Sequence, residues 1–101
     1  MDDEQAVIIW VKLSDDTWGS AKESTAIQAI EELLDQSITP DIGEYDGHEK
    51  ALGWFTMYLY GPNADRLWRL ASNLIAEWPK GSYVVKRYGP PGATEVRLDL
   101  A

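Results

Sequence analysis

The sequence predicts an α+β domain of β-α-β-β-α-β order with an additional C-terminal strand, two helices lying on one face of an antiparallel sheet. Three observations carry this. Residues 6–13 and 54–60 alternate at the two-residue period of a strand. Residues 20–37 and 63–78 carry apolar side chains at helical spacing. Each helical stretch also falls between two strand-like ones, and two right-handed crossovers joined in this way give the ferredoxin-like sandwich. The alternative is a less regular α+β sheet in which the last strand replaces one of the expected pairings.

The first strand places Val7, Ile9, Val11 and Leu13 on one side and Ile8, Trp10 and Lys12 on the other. Two apolar sides and many β-branched residues suit a central position. After a polar connection, Ser20 and Glu23 match a capping box for the first helix. Its stripe is Ala26, Ile27, Ile30, Leu33 and Leu34, with Lys22, Glu23, Glu31, Glu32 and Asp35 outward. Residues 42–48 form a weaker, acid-rich edge strand, and residues 49–53 turn it back. Asp46-Gly47 is a competing turn dipeptide, but the later turn leaves two strands of similar length.

In the third strand Phe55, Met57 and Leu59 oppose Trp54, Thr56, Tyr58 and Tyr60. Gly61-Pro62 breaks it, Asn63 caps the second helix, and Asp65 suits the first turn. Leu67, Leu70, Ala71, Leu74 and Trp78 form its stripe, closed by Pro79 and Gly81. Strands over 82–88 and 94–100 flank the Gly89-Pro90-Pro91-Gly92 turn.

One domain spanning 1–101 fits this length. No cysteine is present, so disulfides and thiolate chemistry are out. No stretch reaches membrane-spanning length, and the acidic Met1-Asp2-Asp3-Glu4 start is unlike a signal peptide, so a cytoplasmic protein is expected. The net charge is −8 and uneven: residues 1–46 hold twelve acids against two bases, residues 47–101 five against seven. That balance argues against a nucleic-acid partner, whose binding needs a basic patch, and it leaves an acidic surface for a basic protein.

With both helices on one face, the other face is bare and ring-bearing. Trp10, Trp54, Tyr58 and Tyr60 lie there, joined by Tyr83, Val85 and Arg87 or by Val84, Lys86 and Tyr88, depending on the alternation of the fourth strand. Exposed apolar patches of roughly 300–600 Å² already rank as the largest on monomers, so a cover is expected: the last strand, a loop, a second copy, a small ligand or another protein. Base stacking on such a face is excluded by the charge, and the strand lacks the basic and glycine positions of RNA-binding sheets.

Candidate chemistry is sparse. Asp46 and His48 share a face if the second strand is regular, which places an imidazole beside a carboxylate. A third metal ligand is missing, and no phosphate-cradling or nucleophile motif occurs, so neither a metal nor a cofactor is expected. Arg87 beside Tyr88 offers an anion grip. An acylphosphatase-type enzyme of this topology needs an arginine loop after the first strand, and residues 14–19 there are acidic.

The runs Gly43-Glu44-Tyr45-Asp46-Gly47-His48-Glu49, Tyr60-Gly61-Pro62-Asn63-Ala64-Asp65-Arg66-Leu67 and Lys86-Arg87-Tyr88-Gly89-Pro90-Pro91-Gly92 resemble small bacterial α+β proteins of no assigned function. The resemblance covers residues 43–99. It implies an intact single-domain protein and supplies no catalytic residues. Three functions follow as expectations. The first is a non-enzymatic interaction or ligand-binding domain, homodimeric through Trp10, Trp54, Tyr58 and Tyr60, with Arg87 on the same face. The second is an immunity-type inhibitor that meets a basic partner through Asp15, Asp16, Glu31, Glu32 and Asp35. The third is a small enzyme built on Asp46, His48 and Arg87.

Overall fold

The most apolar strand takes the centre of the sheet. The computed structural model of the protein describes residues 4–13, 21–75 and 77–100. Its elements are β1 (Gln5–Lys12), α1 (Ala21–Ser37), β2 (Glu44–Ala51), β3 (Trp54–Gly61), α2 (Ala64–Leu74), β4 (Tyr83–Arg87) and β5 (Glu95–Asp99). The five strands form one sheet in the order β2-β3-β1-β4-β5, and every neighbouring pair is antiparallel. β1 is therefore flanked on both sides, as its two apolar faces require, while the acid-rich β2 takes an edge. The last strand adds to the other edge and does not fold over the sheet face.

Alternation sorts the side chains. Val7, Ile9 and Val11 of β1, Phe55, Met57 and Leu59 of β3 and Val84 of β4 join Ile27 and Leu34 of α1 and Ala64, Leu67 and Ala71 of α2 in one core. Both helices thus pack on the same face. The stripe of α1 is narrower than the sequence suggests: Ala26 and Leu33 point outward, Leu33 with 44% of its surface exposed. One line of residues, Ile27, Ile30 and Leu34, seats α1 on the core. The capping serine expected for α1, Ser20, lies outside the described residues.

At the start of α2, Asn63 adopts an extended backbone (φ −145°) and its Oδ1 accepts the Arg66 N–H at 3.1 Å. Gln5 Oε1 accepts the Ala64 N–H at 2.7 Å, which ties β1 to the same helix end. The sequence places the end of α2 at Trp78, but the helix stops at Leu74 and Ile75 is extended. Pro79 sets the outer limit of the helix but does not require a stop as early as Leu74, since a helix through Trp78 with Pro79 just beyond it breaks no rule of backbone geometry. Trp78 still reaches the core, returning beside Trp68 with ring centroids 6.2 Å apart.

β2 runs further than the expected 42–48. The hairpin turn is only Leu52-Gly53, with φ of 51° and 83°; positive φ at both positions is what a two-residue turn matching strand twist needs. The competing dipeptide Asp46-Gly47 is instead a β-bulge, where the register with β3 slips between Tyr45 and Gly47. At the far end of the hairpin, a Cβ on Gly43 would lie 2.2 Å from the Tyr60 carbonyl oxygen, and one on Gly61 would lie 2.3 Å from that of Ile42. The two backbones can meet there only because both residues are glycine.

Candidate functional site

The open face is laid out in rows by the register. Lys12 lies opposite Trp54; Trp10 opposite Thr56 and Tyr83; Ile8 opposite Tyr58 and Val85; Ala6 opposite Tyr60 and Arg87. The alternation of β4 is thus the one that brings Tyr83, Val85 and Arg87 to this face.

Three rings gather at one end. Trp10 stacks on Tyr83 at 5.6 Å with planes 11° apart, while Trp54 meets Trp10 at 6.0 Å and Tyr83 at 5.5 Å, both edge-on. These are the arrangements that aromatic quadrupoles favour. Two cations cover the cluster: Lys12 Nζ sits 5.0 Å from the Trp54 ring centre, and the Arg97 guanidinium 3.8 Å from that of Tyr83. All three rings remain half-buried rather than bare. The face is therefore partly covered by its own side chains, with Arg97 of β5 contributing. Tyr83 is on this face by one of the two alternations the sequence offers for the fourth strand, whereas Arg97 did not stand out, because its place depends on the pairing of β5 with β4.

Tyr58 and Tyr60 continue the face away from this cluster. The Tyr58 hydroxyl donates to Glu49 Oε1 at 3.2 Å, and burial followed by the Glu49 charge pushes its pKa up. Arg87 is at the far corner, where its Nε donates to the Gly89 carbonyl at 2.8 Å and braces the 89–92 turn. The anion grip expected from Arg87 with Tyr88 is not formed, because the two point to opposite faces. Tyr88 donates instead to Asp65 Oδ1 at 2.6 Å on the helix side, where Lys86 Nζ is 2.8 Å from the same oxygen. Those two bonds hold the Asp65 carboxyl below its ordinary range, and Asp65 raises the Lys86 ammonium.

The Asp46–His48 pairing also fails, and the bulge is the reason. An extra residue at Asp46 resets the alternation, so Tyr45 and His48 share the helix side. Both reach Glu31 of α1: the Tyr45 hydroxyl donates to Glu31 Oε2, and His48 Nδ1 is 2.6 Å from that oxygen. His48 also stacks on Phe55 at 4.4 Å. Arg87 lies three strands away on the other face, so Asp46, His48 and Arg87 do not make one site. Among the described residues, no group of three or more His, Cys, Asp or Glu side chains is placed to hold a metal.

Glu31 is consequently not part of an outward acidic face, while Glu32 and Asp35 are exposed and Asp15 and Asp16 lie outside the described residues. Asp35 borders two open clefts. One, of about 580 Å³, is also lined by Glu4, Glu44, Tyr45 and Tyr60. The other, of about 490 Å³, is lined by Glu31, Glu32 and Asp46 as well. Lys and Arg are missing from both linings among the described residues.

No helix among the described residues is long and apolar enough to cross a membrane. Comparison of the chain with protein-family models, with curated proteins and with solved structures gives no match in any of the three.

Proposed function

We propose that the chain is a ferredoxin-like sandwich extended by one edge strand, and that it works as a non-enzymatic protein-interaction domain through the open face of its sheet. The fold reading is supported by β1 lying between β3 and β4, as two interleaved β-α-β units require. The functional reading rests on one observation: Trp10, Trp54 and Tyr83 form a partly buried ring cluster on the open face with Lys12 and Arg97 over it. Rigid rings at the centre with arginine or lysine around them are the make-up of interface anchors. The matching partner is a protein segment with an apolar side chain flanked by carboxylates. A second copy is a poorer occupant of this face, since face-to-face packing would press like cations together over the rings.

Selection of a random-peptide library on the immobilised protein tests this. Peptides pairing an apolar residue with Asp or Glu should emerge, and Trp10→Ala, folded by circular dichroism, should weaken them by about tenfold or more, as loss of an anchor does. Selected peptides that bind Trp10→Ala and Trp54→Ala as well as the parent would refute the reading. A second reading, binding of a basic partner, is favoured by the two clefts without Lys or Arg. It predicts Lys/Arg-rich peptides whose binding is lost in Glu32→Lys and Asp35→Lys instead.

A further inference from the structure

The two edges of the sheet are built differently. β2 is blunted by the bulge at Asp46, by a Gly47 with φ 112°, and by three acids, Glu44, Asp46 and Glu49. Such devices keep an edge from pairing with another chain. β5 lacks the bulge and the glycine, and its two acids, Glu95 and Asp99, alternate with Arg97 instead of standing as like charges alone. It is a regular strand without bulge, proline or lysine, and all five of its residues are exposed.

The hydrogen bonds show which backbone groups are presented. The Leu100 N–H donates to the Ser82 carbonyl at 2.9 Å and the Tyr88 N–H to that of Thr94 at 3.0 Å. In an antiparallel ladder the direction alternates, so Val96 and Leu98 also turn their backbone toward β4. Glu95, Arg97 and Asp99 therefore turn theirs to the free edge. Their side chains lie on the open face, while Val96 and Leu98 lie on the helix face, each 38% exposed and among the few exposed large apolar side chains of the described residues.

We propose that β5 is a self-association edge, pairing antiparallel with β5 of a second copy in the register that sets Leu98 against the partner's Leu98. In that register Arg97 faces the partner's Asp99 and Asp99 the partner's Arg97, so each pair joins opposite charges while exchanging both backbone bonds. Val96 then faces the partner's Leu100, and the helix-side contact is apolar throughout. A shift that places Arg97 on the axis sets it against itself and Glu95 against the partner's Asp99, a repulsion at every polar position. A further shift the same way, with Val96 on the axis, opposes Glu95 and the partner's Arg97, but it sets Thr94 against the partner's Leu98 and draws the end of the 89–92 turn into the ladder. Of the three registers, the Leu98-centred one alone joins opposite charges and keeps the helix-side contact apolar throughout. It makes one continuous sheet with both aromatic faces on the same side, and it shares with the open-face reading only Arg97, which also lies over Tyr83.

An edge of this length buries less than the roughly 1,200 Å² of a standard stable interface, so the dimer dissociates on dilution. Sedimentation velocity of the full chain from micromolar to about millimolar concentration reads it out. Parent protein should shift from monomer to dimer over that range. Arg97→Asp and Asp99→Arg should each weaken association by about tenfold or more, since each sets like charges opposite. The double swap Arg97→Asp/Asp99→Arg should restore it, and Trp10→Ala should leave it unchanged. A parent that stays monomeric throughout would overturn the proposal. So would a dimer indifferent to both charge reversals, not rescued by the swap, or lost in Trp10→Ala.

Discussion

A single strand, β1, shows how differently the two faces of the sheet are built. On the helix side Val7, Ile9 and Val11 retain at most 1% of their surface, whereas Ile8, Trp10 and Lys12 on the other side are only partly buried. Aliphatic residues serve where helices supply the cover, because they pack to crystal-like density and carry no polar group to satisfy. Aromatic residues serve where no layer follows. A large flat ring can shield a neighbouring ring and still present a face to water, a cation or a partner. The helix face is finished by the fold, and the open face only by its own side chains.

Two truncations on neighbouring strands turn this contrast into numbers. Leu59→Ala on the helix side removes a fully buried side chain beneath both helices, and it should cost about 3–4 kcal/mol, in line with buried leucine truncations. Trp10→Ala removes a much larger side chain, yet water can fill part of the space. The expected loss is about 2 kcal/mol, most of it the two ring contacts and partial burial. Urea unfolding of both variants gives the comparison directly. Equal losses would mean that the ring cluster is as integral to stability as the core, and the case for the open face as a surface held for contact would fail.

Much of this division is legible in the chain. The alternation in residues 6–13 and 54–60 assigns every core residue of β1 and β3 correctly, because a strand's period of two leaves little freedom once one face is apolar. The N-cap of α2 at Asn63 is equally local, a side chain bonding three residues ahead. What local pattern cannot supply is the joining of distant segments. The helical stripe runs on to Trp78, yet α2 ends at Leu74, a stop that Pro79, compatible with a helix through Trp78, does not mark. The bulge at Asp46 is invisible to a period-two reading, and it moves His48 from a presumed pairing with Asp46 to one with Glu31. The ring cluster was partly legible: Trp10 and Trp54 follow from alternation, Tyr83 from one of the two phases open to the fourth strand, but the Arg97 above it requires knowing that β5 extends the sheet beyond β4.

The same contrast reappears, smaller, in two tyrosine hydroxyls that each donate to a glutamate. Tyr45 on the helix side reaches Glu31, and Tyr58 on the open face reaches Glu49. Burial is the largest cause raising both phenol pKa values, and it acts more strongly on Tyr45, whose pKa rises well above the usual tyrosine range. Tyr45→Phe should therefore cost about 1 kcal/mol, the net worth of a partly buried hydrogen bond. Tyr58→Phe should fall within about 0.5 kcal/mol of the parent, as surface changes do. The sign of the pH dependence is fixed by the direction of the shift. A phenol that loses its proton less readily folded than unfolded contributes stability that is complete below the unfolded value of about 10 and is lost as pH rises beyond it toward the folded value. The gap between parent and Tyr45→Phe should accordingly be constant across neutral pH and close above about pH 10, while Tyr58→Phe follows the parent closely. A gap that persists unchanged into that alkaline range would show that the Tyr45 hydroxyl is no better sheltered than the one on the open face, and the contrast would then rest on the aliphatic core alone.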